Sequence, residues 1–275
     1  MLERTWLLGV ARHERDALGR VIQYTPPDRW EADSPCQGWR VKNVLAHLAA
    51  SEVAAAAVLG GEPPSELDEY RKSLEGEPFT ADGWNDWSVA RRADTPHLSL
   101  ALEWGRAADL LLARASKVTD EDWRDRELPW TVDDVRTGYL MQIRVAEWWV
   151  HGEDLLEGGG QPPRLEHRPI FCVNDLAIRL LPYSLDRDGL SFPGASVQVE
   201  LEGVGEGTWH QGLEAGYEPP EGSRPDAVIT GRGYAFASVA GRRADADVVL
   251  YEGMLQIGGR VDICEAVLRS LRSFP

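Results

Sequence analysis

The run Gly158-Gly159-Gly160-Gln161-Pro162-Pro163 divides the chain into two grammars, and no other feature of its 275 residues constrains the fold as much. Glycines at a helix end release the chain, and prolines just beyond forbid an immediate restart. Before this run, apolar residues recur at three-to-four spacing over long stretches, which predicts helices over 4–23, 39–59, 98–118 and 135–156. The first places Trp6, Leu7, Val10, Leu18, Val21 and Ile22 on one stripe and stops at Pro26-Pro27. The second is rich in Ala, Leu and Val, lacks internal Gly or Pro, and ends at Gly60-Gly61. The third carries Leu100, Trp104, Ala107, Ala108, Leu111 and Leu112 inward. Four long helices with medium connections predict a four-helix bundle, whose core commonly holds sites built from facing side chains.

After the run the pattern shortens. A helix is expected near 170–181, then alternating Val197, Val199 and Leu201, a strand over 208–213 and another over 227–230. A helix at 234–240, a short strand at 255–257 and a closing helix at 261–271 complete a small α+β domain. The expected fold class is therefore multidomain, an all-α four-helix bundle over 1–160 followed by an α+β domain over 161–275. Tryptophan agrees, because ten of eleven, all but Trp209, precede the boundary.

Charge and cysteine usage exclude several functions. With 29 basic against 45 acidic residues the net charge is -16, a field that repels phosphate backbones, so no nucleic-acid partner is expected. Cys36, Cys172 and Cys264 are far apart and form no C-x-x-C pair, the pattern of free thiols. The apolar run 6–11 is too short for a signal peptide, and no stretch approaches a membrane span, so a cytoplasmic protein without membrane association is expected. No long heptad seam suggests a coiled-coil dimer.

The chemistry centres on the fourth helix. Glu147 and His151 are four residues apart, so a carboxylate and an imidazole converge on one face, although by spacing alone such pairs arise by chance in many helices and are ordinarily solvated. His47 stands in an aliphatic stretch of the second helix, where a histidine is either a satisfied core residue or a ligand. On facing helices the three make two histidines and one carboxylate, the donor set of catalytic zinc and non-haem iron. Asp154, one turn on, is either an outer partner for a ring N–H or a charge at the helix end.

Two stretches carry a family resemblance. Trp30 with Ser34-Pro35-Cys36-Gln37-Gly38-Trp39-Arg40-Val41 and Ala46-His47-Leu48, and then Arg144-Val145-Ala146-Glu147-Trp148-Trp149-Val150-His151 with Asp154-Leu155, resemble the two signatures of the mycothiol-dependent maleylpyruvate isomerase family. The resemblance spans essentially the whole chain and implies a DinB-like bundle with a small sterol-carrier-like second domain. It also implies a divalent metal, zinc, on His47, Glu147 and His151, with mycothiol as thiol cosubstrate. The implied reaction is addition of the metal-bound thiolate to an electrophilic small molecule, with cis-trans isomerisation of a maleylpyruvate-like diacid. An arginine of the second domain would bind the carboxylates, with Arg242 the nearest positional candidate and Arg232 the second. Asn43 departs from the family, which more often places an acidic residue there.

The same site would serve a mycothiol S-transferase, which consumes the thiol that an isomerase returns, or a non-catalytic module that binds a metal or ligand. Cys36 is expected to pack rather than attack, and Arg144 to act as a structural ion-pair partner. No P-loop, dinucleotide fingerprint, nucleophile elbow or complete H-E-x-x-H is present.

Overall fold

Four long helices dominate the amino-terminal part of the chain. The structure, a computed structural model that describes residues 1–273, separates into two units, Met1–Arg164 and the residues from Leu165 onward. In the first unit the elements are α1 (Arg4–Tyr24), α2 (Val41–Leu59), α3 (Ser65–Ser73), α4 (Ala81–Arg91), α5 (His97–Ala115), α6 (Asp120–Asp125), β1 (Glu127–Leu128), β2 (Val135–Arg136) and α7 (Thr137–Gly158). Local chemistry sets the starts. Glu3 accepts the Thr5 and Trp6 backbone N–H groups at 2.8 and 2.6 Å, which caps α1. Asn43 accepts the Arg40 N–H at 2.9 Å, so the residue that departs from the family pattern closes the first turn of α2.

The long helices pack in a closed cycle, α2 on α5 and α7, and α1 on those same two. Helix α7 buries 18 of its 22 residues, so polar groups on it must find partners inside the protein. Helix α2 corrects one sequence expectation: it is 19 residues long and contains an 18-residue stretch of mean hydropathy 1.2, long and apolar enough for a membrane span. It is instead a core helix, with 78% of that stretch buried.

Two short helices, α3 and α4, fill the stretch for which no element was predicted. They bring Leu67, Tyr70 and Trp84, with Phe79 and Trp87, onto Ala50 of α2. Their few turns carry too little periodicity to be read from pattern alone. Residues 135–136, expected as the start of the fourth helix, pair instead with 127–128 in a two-stranded ladder.

The second unit contains α8 (His167–Arg179), α9 (Leu181–Arg187), β3 (Ser196–Glu202), β4 (Gly207–Gly212), β5 (Ala227–Arg232), α10 (Gly233–Ala240), α11 (Ala246–Tyr251), β6 (Leu255–Gly259) and α12 (Val261–Ser270). The sheet order is β4-β3-β5-β6, with β3 and β5 parallel and the outer pairs antiparallel. Val197, Val199 and Ile229 lie buried in the two central strands. Helix α10 packs on α8, and α12 on β5 and β6. The helix expected over 170–181 is α8, and a second helix that was not expected, α9, follows it, because Pro182 lacks the N–H that would continue α8.

Candidate metal centre

The seam between α2 and α7 holds a cluster of buried ionisable groups. His47 projects from α2, and Glu147 and His151 project from α7 one turn apart. Glu147 Oε2 stands 3.0 Å from His47 Nε2 and 3.5 Å from His151 Nε2. One ligand atom from each residue lies within 4.8 Å of the others, and the three are only 4%, 8% and 7% exposed. Zinc with donors at about 2.1 Å in tetrahedral array separates those donors by about 3.4 Å, so the spacing fits such an ion.

The groups behind this triad are organised as well. His151 Nδ1 faces Asp154 Oδ2 at 2.8 Å, and Cys36 Sγ donates to the same oxygen at 3.2 Å. An Nδ1–H held in this way leaves Nε2 to face the other two residues. On the far side of Glu147, Arg144 Nη2 lies 3.8 Å from Oε2. Arg144 also donates from Nε and Nη2 to Glu52 Oε1, at 2.9 and 2.6 Å, and Trp148 Nε1 donates to that oxygen at 2.6 Å. Trp39 covers His47, with ring centroids 5.3 Å apart, and is itself tied to Asp86 Oδ1 at 3.2 Å.

Burial and charge pull the titrating groups apart. Burial lowers His47, favouring the neutral ring that binds metals. Burial opposes ionisation of Glu147, yet Arg144 and the hydrogen bonds with His151 and His47 hold its carboxyl well below the usual carboxylate range. Burial likewise opposes a charge on His151, but bonds with Asp154, Cys36 and Glu147 lift it well above the usual imidazole value. Without an ion, a proton on His151 supplies positive charge beside Glu147. Burial pushes Glu52 up despite its Arg144 partner.

The structure therefore brings His47, Glu147 and His151 together, and the solvated-surface alternative for Glu147 and His151 does not hold. Asp154 is 1% exposed, not a charge on the helix surface. Glu52 was missed, although His47, Ser51 and Glu52 are the only polar residues between 44 and 59 and so carried a signal. Arg242 belongs to the second unit, where it is exposed in a left-handed backbone conformation, φ 59°, just after α10. It lines a cavity of about 570 Å³ with Arg243, Asp245, Asp247 and Arg269. Arg232 forms an exposed pair with Glu202 at 3.2 Å.

A helical unit with two histidines and a carboxylate buried on facing helices, followed in the chain by a unit with a small mixed sheet, defines a class of proteins suited to hold a divalent ion. Within that class the chain belongs to the mycothiol maleylpyruvate isomerase family, whose N-terminal domain model matches residues 11–156. It is 25% identical over 219 residues to uncharacterized proteins from two strains of Mycobacterium tuberculosis, spanning 78% of this chain and 80% of theirs. Its fold is similar to the crystal structure of the mycothiol-dependent maleylpyruvate isomerase, with a TM-score of 0.59 at 13% identity over 89% of this chain and 91% of that one. A histidine-to-alanine mutant of that isomerase matches with a TM-score of 0.58, over 88% and 90% of the two chains.

Proposed function

We propose that this chain is a metal-dependent, mycothiol-using enzyme that acts on an electrophilic small molecule, a maleylpyruvate-like cis diacid, as an isomerase. The observation that carries the proposal is the convergence of His47 Nε2, Glu147 Oε2 and His151 Nε2 in a buried seam, at separations suited to one ion. In this reading the closed cycle of α1, α2, α5 and α7 is a DinB-like four-helix bundle, and the second unit is a sterol-carrier-like domain.

The roles of the residues follow from their surroundings. His47, Glu147 and His151 would hold a divalent ion; the donor set suits zinc and non-haem iron alike, and zinc is the ion proposed from the family resemblance. A bound ion supplies the positive charge that keeps a nearby thiol as thiolate at neutral pH. Arg144 keeps Glu147 ionised and aimed inward. Asp154 holds the Nδ1 proton of His151, and Trp39 shields His47 from water. Arg242 would bind a substrate carboxylate through its guanidinium. A mycothiol thiolate bound here would supply a nucleophile for the conjugated double bond: its addition would move the electron pair to the carbonyl, leave a single bond free to rotate, and be reversed by elimination, which would return the thiolate and leave the trans product.

Elemental analysis of the protein beside His47→Ala tests the site, and incubation with mycothiol and a cis diacid tests the reaction. Near-stoichiometric zinc that the variant loses, with trans product and undiminished free thiol, is the expected result. Metal content unchanged by His47→Ala overturns the ligand set. Loss of free thiol in step with substrate replaces isomerisation with S-transfer.

A further inference from the structure

Cys36 occupies a position that the proposed reaction does not use. It sits in the loop before α2, where Ser34 Oγ accepts the Cys36 N–H at 3.2 Å and donates to Trp39 O at 2.8 Å, so the thiol is presented from a fastened turn. Its Sγ donates to Asp154 Oδ2 at 3.2 Å, the oxygen that His151 Nδ1 approaches at 2.8 Å, and lies 3.9 Å from that nitrogen. Two donors thus meet on one carboxylate oxygen that is buried in the protein. His47 receives no comparable help, since its Nδ1 is buried without a hydrogen-bond partner among the described residues. Outer support for the triad's imidazoles therefore falls on His151 alone. It reaches that ring from α7 through Asp154 and from the loop leading into α2 through Cys36.

We propose that Cys36 is a positioning residue of the metal centre, its S–H fixing Asp154 Oδ2 so that the carboxylate holds the Nδ1 proton of His151 and directs Nε2 toward Glu147 and His47. The inference rests on the ligand set proposed above. Cys36 acts from the side of the ring opposite the proposed ion, so it is neither a ligand nor a nucleophile. A thiol is a weak donor, and a hydroxyl of similar reach can replace it.

The test is zinc affinity by chelator competition on the full chain, with zinc ion alone, for wild type, Cys36→Ser, Cys36→Ala, Asp154→Ala and the Cys36→Ala/Asp154→Ala double variant. The metal-free forms are compared in parallel by thermal unfolding and by imidazole nitrogen NMR. Partners directly bonded to ligating histidines are worth about 10–100-fold in metal affinity, the loss expected for Asp154→Ala. Cys36→Ala, one contact further out, is expected to lose about 3–10-fold, Cys36→Ser to remain within about twofold, and the double variant to match Asp154→Ala. With the ring made neutral at high pH, the metal-free nitrogen spectrum of the wild type should show His151 as the Nδ1–H form alone, and that of Cys36→Ala a mixture of the Nδ1–H and Nε2–H forms. Wild-type affinity in Cys36→Ala, or an equal loss in both backgrounds tracking a lowered melting temperature, overturns positioning while leaving the triad intact. Failure of the wild type itself to take zinc overturns the ligand set and this inference with it.

Discussion

Helix α2 meets α5 along one side and α7 along the other, and the two seams are built from different materials. Helix α5, which packs on α2 more extensively than on any other element, buries Leu100, Trp104, Ala107, Ala108, Leu111, Leu112 and Ala115, and that apolar burial is a direct source of stability. Toward α7 the same helix sends His47 and Glu52 to meet Arg144, Glu147, Trp148 and His151. Burying charges costs several kcal/mol per ion before pairing recovers it, and apolar replacements of similar volume are often no worse. The difference teaches that the α5 seam holds the unit together while the α7 seam is maintained at a cost in stability. Function is the natural return on that cost.

The comparison breaks most sharply at Arg144. Arg144→Ala leaves Glu52 buried without a counter-charge, with an expected loss of about 3–5 kcal/mol in urea unfolding. Replacing the pair together, Glu52→Leu with Arg144→Met, should cost little stability while still lowering zinc affinity, because Glu147 loses its cation. A loss below about 1 kcal/mol for the single variant would mean that the charge of Glu52 is neutralised some other way. On the other seam, Leu111→Ala is expected to cost about 3 kcal/mol with metal content unchanged, and coupled loss of both would show that the seams are not independent.

Titration sharpens the contrast. The His151 proton must leave before Nε2 can ligate, so zinc affinity should rise with pH, about tenfold per unit, until the raised imidazole value is passed. Flat affinity across neutral pH would mean that His151 carries no proton to displace. The smallest effect lies at Glu153, which Arg164 contacts at 3.2 Å and which burial raises from 4.5 to about 7. A raised carboxyl binds its proton more tightly when folded. The stability it contributes is therefore full below pH 4.5 and lost as pH rises through about 7. Glu153→Gln should remove that loss, gaining on the order of 1 kcal/mol at pH 8 relative to wild type. An unchanged pH profile of unfolding would count against it.

The long elements of the first unit were legible because uninterrupted 3.6-residue periodicity and glycine or proline stops mark them directly. The strands of the second unit were legible from Val197, Val199 and Leu201 in alternation. Helices α3, α4 and α11 were not, since six to eleven residues hold too few turns for a stripe to stand out from chance. At the site, spacing on one helix brought Glu147 and His151 into view, and the aliphatic setting of His47 marked it. What spacing could not show was reach across long separations. Glu52 meets Arg144 over 92 positions and Cys36 meets Asp154 over 118, and no local pattern encodes either meeting.

The contact between His47 and Glu147 spans 100 positions of the chain, and α3 to α6 all lie inside the circle it closes. An ion held there would act on the unfolded chain as a reversible cross-link, and closing so large a loop removes much of that chain's freedom. The added stability would be set by the supply of ion, about 2.7 kcal/mol at a hundred times its dissociation constant. Amides of α3 and α4, which touch no ligand, should then exchange more slowly when the ion is present. In such a protein the cell's free-metal level and the lifetime of the folded chain would be a single variable.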